Sequence, residues 1–185
     1  MSSGIAQRVR YRVWQFASAI RAGQTPLSET QIREVQGLLP EQAWPLFAAM
    51  PRHDQRHAID VLHTLQASGE VPPPLAQAAL LHDCAKHRGG IRLWHRVAVV
   101  LVRVCAPGRM EKWCEMEPLG AHDWRHPFWA HVHHPENGAR LAEQAACDPL
   151  AVTLIRFHGE TPPPGALAAQ GGLLLDRLRT ADDDN

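Results

Sequence analysis

The spacing of apolar residues restricts this chain to helical folds. Between clusters of proline and glycine, apolar side chains recur every three to four positions, which is the period of one face of an α-helix. In the stretch 51–68, for example, Ile59, Leu62 and Leu65 fall on one side. No run alternates apolar and polar residues over the length of a strand. The pattern therefore predicts an all-α fold of seven to nine helices with no sheet.

Helix-starting and helix-breaking residues divide the chain into segments. Residues 28–31 have the pattern of a capping box, which predicts the start of a helix. Three prolines within residues 40–51 break the following stretch into short helical pieces. We interpret residues 1–50 as a helical extension that packs on one compact domain formed by residues 51–185.

The rest of the chain continues the helical pattern. Paired glycines at 89–90 and the Pro107-Gly108 dipeptide mark the ends of two helices. Proline and glycine between 117 and 127, and three prolines between 161 and 165, indicate loops. Helices are therefore predicted at about 5–20, 75–86, 91–104, from His134 or shortly before it to 146, 149–158 and 167–181.

Charge and cysteine content exclude several classes of protein. Lysine plus arginine and aspartate plus glutamate number 19 each, so nothing favours a nucleic-acid coat or a membrane-surface protein. The most apolar run, 97–106, is interrupted by Arg103 and is shorter than the ~20 residues of a membrane span. None of the four cysteines forms a C-x-x-C pair. Free thiols in a cytoplasmic protein are the expected interpretation.

Histidine is the residue type with an unusual distribution. All 12 histidines lie between His53 and His158. Neutral imidazole is a common metal ligand and carries protons near neutral pH, so a confined cluster indicates a functional site. Because one metal uses only a few ligands, we expect about half of these histidines to have other roles.

The dipeptide His82-Asp83 places a carboxylate in a mostly apolar helix. Burying an unpaired carboxylate is costly, and a cation is the usual remedy. Adjacent helical residues point about 100° apart, so both side chains can face one cleft. Two explanations remain open here: the pair binds a metal, or Asp83 simply pairs with Lys86 or His87 one turn later.

Five short segments follow one another in an order that carries more information than any one of them. They are RHAIDV at 56–61, ALLHDCAK at 79–86, HPENGA at 134–139, IRFHGE at 155–160 and LRTAD at 178–182. In this order they resemble the HD-domain superfamily of metal-dependent phosphohydrolases. That family's pattern is a His, a His-Asp pair after an apolar helix, one or more further His, and a distant Asp. The resemblance covers roughly residues 50–182.

The resemblance implies a set of metal ligands. A first metal would be bound by three residues of the early segments and by one carboxylate near residue 180. Asp176 and Asp182 are the two candidates for that carboxylate. A second ion would use His134 and His158, with Asp83 as a bridge. Two-metal members often carry two consecutive histidines at that point, whereas Gly159 follows His158 here. We therefore expect one secure metal and a weaker second site. The implied ligands of the first metal are His57, His82, Asp83 and Asp182.

A mixed set of imidazoles and carboxylates suits Mn, Fe, Co, Ni or Zn. By resemblance, the expected reaction is hydrolysis of a phosphoester or phosphoanhydride of a small soluble nucleotide by metal-bound hydroxide. Asp83 is expected to orient the water. Lys86 is expected to act at the phosphate, with Arg88 and Arg92 as further phosphate-binding candidates. The alternative for these three cations is a solvated helix end, where positive charge is favourable.

Two other functions remain open for the same residues. A minority of the HD superfamily are di-iron oxygenases, which need two well-held irons. An HD-like helical module could instead bind a nucleotide or a partner protein without catalysis, although such a module need not retain a complete ligand set.

Overall fold

All regular structure in the described part of the chain is helical. The computed structural model describes residues 26–86, 108–115, 123–159 and 169–185, together with the single positions 98, 102 and 118. These residues contain eight α-helices, one short 3-10 helix and no strand, which confirms the predicted all-α class. The helix predicted at 5–20 and the loop at 161–165 lie outside the described residues. Of the helix predicted at 91–104, only positions 98 and 102 are described, and both are helical. Of the loop predicted at 117–127, residues 118 and 123–127 are described, and the last two of them already belong to the helix that begins at His126.

The described helices have the following order. A 3-10 helix at Glu41–Ala43 comes before the second α-helix. The α-helices are α1 (Glu29–Leu38), α2 (Trp44–Ala48), α3 (Arg52–Ala67), α4 (Pro73–Leu81), α5 (Arg109–Cys114), α6 (His126–Gln144), α7 (Pro149–Phe157) and α8 (Ala169–Asp184).

Backbone proximity divides the chain into two compact units. One unit contains the described residues of Pro26–Ala85 and His133–Asn185, and the other contains those of Lys86–Val132. Residues His133 to Gln144 of α6 belong to the first of these units. The unit that contains Pro26–Ala85 includes α1 to α4, α7 and α8, and it carries all the candidate metal ligands.

Helix α4 is the centre of that unit. It contacts α3, α7 and α8, and buried side chains lie on all its sides. A helix that is apolar all round must be covered by neighbours, which explains its central position. It has only 9 residues, and no helix within the described ranges is long and apolar enough to cross a bilayer. The fully buried side chains of α4 include Leu75, Leu80 and Leu81.

The start of α1 confirms the predicted capping box. The backbone N–H of Gln31 donates to the Oγ of Ser28 at 3.2 Å, and the N–H of Ser28 donates to Oε1 of Gln31 at 3.0 Å. Each side chain thus satisfies a backbone donor that the first turn of a helix leaves without an intrahelical acceptor.

The predicted end of α4 at about residue 86 was wrong. The helix ends at Leu81, and residues 82–86 form tight turns. In a continuing helix the carbonyl of Ala79 would accept from the N–H of Asp83. Here that carbonyl accepts from Nδ1 of His82 at 2.9 Å, and the N–H of Cys84 donates to the carbonyl of Leu81 at 3.0 Å. The His82 side chain therefore favours the end of its own helix.

The helix predicted to start at His134 or shortly before it begins earlier, because α6 starts at His126 and continues through Pro135. A proline inside a helix removes one backbone hydrogen bond, which usually favours a boundary at that point. The first half of α6 has its own packing, since Phe128 and Ala130 are buried. This burial compensates for the loss at the proline.

Candidate metal centre

Six side chains from four helices and one turn meet at one place in the unit that contains α4. His57 lies on α3, and His82 and Asp83 lie in the turn after α4. His134 lies on α6, His158 is the C-cap residue of α7, and Asp182 lies on α8. These are all the residues that the sequence predicted as metal ligands: His57, His82, Asp83, His134, His158 and Asp182.

The first part of the cluster is built around the carboxylate of Asp182. Its Oδ1 lies 2.9 Å from Nε2 of His57 and 3.4 Å from Nε2 of His82. The two imidazole rings meet edge to face, with centroids 5.4 Å apart. His57, His82 and Asp83 bring one ligand atom each within 4.8 Å of one another, so this group can hold a metal ion.

The second part of the cluster consists of three buried residues. Oδ1 of Asp83 lies 3.4 Å from Nε2 of His134 and 3.7 Å from Nε2 of His158. The Nε2 atoms of the two histidines are 3.2 Å apart. Each of the three ligand atoms is within 4.8 Å of the other two, so this group can also hold a metal ion.

Asp83 belongs to both groups through different oxygens. Its Oδ2 lies 3.6 Å from Nε2 of His82, whereas Oδ1 faces His134 and His158. The carboxylate is 3% exposed, so its surroundings are protein rather than bulk water. The buried carboxylate of Asp83 therefore has three histidine side chains as neighbours. The pairing with Lys86 or His87 that the sequence left open stays a prediction, and His87 lies outside the described residues.

Two of the histidines are anchored in the same way. Nδ1 of His82 donates to the carbonyl of Ala79 at 2.9 Å, and Nδ1 of His158 donates to the carbonyl of Ile155 at 2.7 Å. Each histidine is the C-cap residue of its helix. A neutral imidazole that donates from Nδ1 has an unprotonated Nε2, and this bond also fixes the ring orientation. In both residues the atom that faces the cluster is thus Nε2.

The protonation preferences of the cluster also suit a cation. Burial, together with the charges of His82 and His134, lowers the pKa of His158 from 6.5 to about 3. His158 is therefore neutral at physiological pH. Burial alone would raise the pKa of Asp182, but His82 and His57 outweigh it and hold that pKa well below its usual range. Neutral imidazole and ionised carboxylate are the forms that bind metals.

The competing carboxylate, Asp176, is on the exposed part of α8. Its backbone carbonyl accepts from the hydroxyl of Thr180, one turn later. The structure thus brings Asp182, and not Asp176, against the histidines.

Of the three predicted phosphate-binding residues, the structure describes only Lys86. Lys86 is half-buried, three positions after Asp83, and it belongs to the other compact unit. Arg88 and Arg92 lie outside the described residues. Their roles, and the weaker second site expected from Gly159, stay predictions.

Sequence reasoning missed Arg179 on α8. Its guanidinium donates to the backbone carbonyls of Phe157, His158 and Gly159 at the end of α7. The available signal was its position three residues before Asp182, which places both side chains on one side of a helix.

Sequence reasoning also missed the role of Gly138 in α6. A Cβ atom there would lie 3.4 Å from Ile155 and 3.7 Å from the carbonyl of His82. A methyl group would therefore fit at Gly138, whereas a larger side chain would meet α7 and the turn after α4, where three of the ligands lie.

No protein-family model, curated protein or solved structure matched this chain when it was compared with them. The function must therefore be argued from the side chains of the cluster and their geometry.

Proposed function

We propose that this protein is a metal-dependent phosphohydrolase of the HD type, acting on a phosphoester or phosphoanhydride bond of a small soluble nucleotide. The observation that carries the proposal is the position of Asp83 between two histidine pairs, with an oxygen directed to each. The order of the HD-like segments in the sequence supports the same assignment. The two pairs are His57 with His82, and His134 with His158.

The residues fit a divalent metal in both groups. Four imidazole Nε2 atoms and two carboxylates converge, and this mixed donor set suits Mn, Fe, Co, Ni or Zn. Asp83 and Asp182 place two carboxyl groups in one partly buried cluster, where a bound cation would offset negative charge. His82 and His158 are already held with Nε2 directed inward. A metal needs little rearrangement of these side chains.

A divalent metal bound here supplies Lewis acidity, which lowers the pKa of a bound water and offsets negative charge on a phosphoryl oxygen. The carboxylates of Asp83 and Asp182 accept hydrogen bonds and can orient an attacking water. Burial of His82 and Asp83 shields one side of the site from bulk solvent. Lys86 is proposed to contact a phosphate oxygen of the substrate.

The partial exposure of two ligands indicates the side from which substrate approaches. The side chains of His57 and Asp182 are 26% and 29% exposed, whereas His82 and Asp83 are almost fully buried. A phosphorylated substrate is therefore proposed to reach the cluster from the side of α3 and α8.

The proposal is tested by metal content and hydrolysis in the same preparations. Wild type, Asp83→Ala and Asp60→Ala are purified without chelator, analysed for metals, and assayed with bis(nitrophenyl) phosphate and a panel of nucleotides. The panel contains nucleoside monophosphates, cyclic dinucleotides and dinucleoside polyphosphates. Asp60 is an exposed carboxylate on α3 and serves as the matched control.

Wild type and Asp60→Ala are expected to contain Mn, Fe, Co, Ni or Zn and to hydrolyse at least one substrate. Asp83→Ala is expected to be folded, metal-poor and inactive. Near-normal turnover in Asp83→Ala, or a folded wild type that takes up no metal when Mn or Fe is added, would reject the proposal; the latter result would favour a non-catalytic binding module.

A di-iron oxygenase is the second candidate, because the structure assembles both ligand groups around one shared carboxylate. The two candidates differ in what the iron-loaded protein consumes. Oxygen uptake with an iron-dependent visible absorption band, and no release of phosphate or nitrophenol, would favour the oxygenase.

A further inference from the structure

The end of α7 is held by a side chain from α8. Arg179 donates from Nη2 to the carbonyls of Phe157 at 2.7 Å and Gly159 at 2.8 Å, and from Nε to the carbonyl of His158 at 3.3 Å. The last carbonyls of a helix have no intrahelical donor, so an external donor must satisfy them when they are buried. One planar guanidinium contacts three consecutive carbonyls here, which a point charge such as lysine would match less well.

This contact acts directly on the backbone that carries His158. The residue follows the last turn of α7, and its Nδ1 is tied to the carbonyl of Ile155 in the same turn. The position of its Nε2 therefore depends on where this turn lies. Positive charge at the C-terminal end of a helix is also favourable for the helix dipole. Arg179 thus satisfies the backbone carbonyls of this turn and holds the turn in place.

The same helix contacts the other half of the cluster. Asp182, one turn after Arg179, places its carboxylate against His57 and His82. Helix α8 therefore contacts the first ligand group through the side chain of Asp182. It contacts the second group through the hydrogen bonds from Arg179 to the backbone around His158. The two contacts tie the end of α7 to the helix that contacts His57 and His82 at the cluster.

We infer that Arg179 is the positioning residue of the second metal site, holding the end of α7 so that His158 faces His134 and Asp83. This inference rests on the proposed metal-dependent function. Arg179 is assigned no role as a ligand and none in contact with substrate; it acts through the backbone of His158.

The test is a titration of metal-free protein with Co²⁺ alone, followed by visible absorption and checked by elemental analysis. The variants are Arg179→Ala, Arg179→Lys and the control Arg177→Ala. Arg177 also lies on α8 and clamps a helix end, because it donates to the carbonyls of Glu70 at 2.8 Å and Leu65 at 3.4 Å, next to the end of α3. It is therefore matched in chemistry and differs in location.

Wild type is expected to bind two Co²⁺ ions. Arg177→Ala is expected to bind each of the two ions with the same affinity as wild type does. In Arg179→Ala the second ion is expected to bind about 10–100-fold more weakly, the usual effect of losing a residue that orients a metal ligand. The first ion should bind unchanged. Arg179→Lys retains the charge without the planar fork and should give an intermediate loss, which also keeps the inference testable if the alanine variant does not fold.

Three results would overturn the inference, and they differ from failure of the proposed function. Unchanged binding of the second Co²⁺ in both Arg179 variants would show that the clamp does not position His158. An equal loss at both sites, shared by Arg177→Ala, would show a general effect on folding. A wild type that binds one Co²⁺ would remove the second site but leave a one-metal hydrolase, whereas a wild type that binds none would reject the proposed function as well.

Discussion

Oδ1 of Asp182 lies 2.9 Å from Nε2 of His57, although 125 positions of sequence separate the two residues. The contact joins α8 to α3 at the half-exposed side of the cluster. Because the same oxygen is 3.4 Å from Nε2 of His82, a single carboxylate oxygen serves two imidazoles. Its removal should therefore affect the first ligand group as a whole.

Asp182→Ala is expected to weaken binding of the first metal by about 100-fold or more. Loss of a residue that merely orients a ligand already costs about 10–100-fold, and Asp182 is a proposed direct ligand. Asp176→Ala, on the exposed part of the same helix, should bind metal like wild type. Calorimetric titration with Mn²⁺ measures both. Equal affinities in the two variants would remove Asp182 from the ligand set.

The metal-free protein is expected to lose stability as pH falls from about 6.5 toward 3. The pKa of His158 is about 3 in the folded chain against 6.5 ordinarily, so in this window the unfolded chain binds a proton that the folded chain does not. Asp182 adds to the loss below about pH 4, because its folded pKa is lowered and its stabilisation needs the ionised form.

Urea denaturation of chelator-treated wild type and His158→Gln at several pH values checks this expectation. The variant should lose less stability than wild type between pH 6.5 and 4, since it lacks the buried imidazole. Identical slopes in the two proteins would show that His158 does not set the acid sensitivity.

Substitution of Gly138 should depend steeply on the size of the new side chain. A Cβ at this position would make ordinary contacts with Ile155 and Cys84, so Gly138→Ala should be tolerated, with a gain of up to about 1 kcal/mol from helix propensity. Gly138→Leu has no space for its outer atoms and should lower the free energy of unfolding by about 1–3 kcal/mol. Gly172→Leu is the control, because its Cβ would meet no atom within 4 Å. Comparable losses in the two leucine variants would contradict the close approach at Gly138.

Leu81→Ala should lower the free energy of unfolding by about 2–5 kcal/mol, the usual cost of a cavity at a fully buried leucine. Leu81 is the last residue of α4 and precedes the two central ligands, so metal affinity should fall with it. Leu173→Ala, 67% exposed on α8, should be nearly neutral. Thermal denaturation of the metal-free proteins gives both values; similar melting temperatures would argue against α4 as the centre of its unit.

The helical class could be predicted from the sequence because apolar periodicity is a local property. The capping box at Ser28 was found for the same reason, since it uses neighbouring residues only. The end of α4 was missed because the His82 side chain competes for a backbone carbonyl of its own helix, which hydrophobic pattern does not reveal. The course of α6 through Pro135 was missed because burial before the proline outweighed a local helix-breaking signal.

The six residues of the cluster could be identified from the order of short segments, but their mutual geometry could not. Nothing local in the sequence shows that one oxygen of Asp83 faces His82 and the other faces His134. Arg179 was missed because its partners are backbone carbonyls, which any residue type provides. Contacts of that kind carry no residue-specific signature, so they become visible only in three dimensions.

Because α8 provides both the Asp182 carboxylate and the Arg179 clamp, the cluster is completed in a definite sequence during synthesis. Helices α3 and α4 leave the ribosome well before α8, and short-range contacts form sooner than long-range ones. A nascent chain can therefore bring His57 and His82 together while the side that Asp182 later occupies is still open. Arrival of α8 then completes the cluster, so a chain interrupted before this helix would carry the histidines without the carboxylate of Asp182 that contacts two of them.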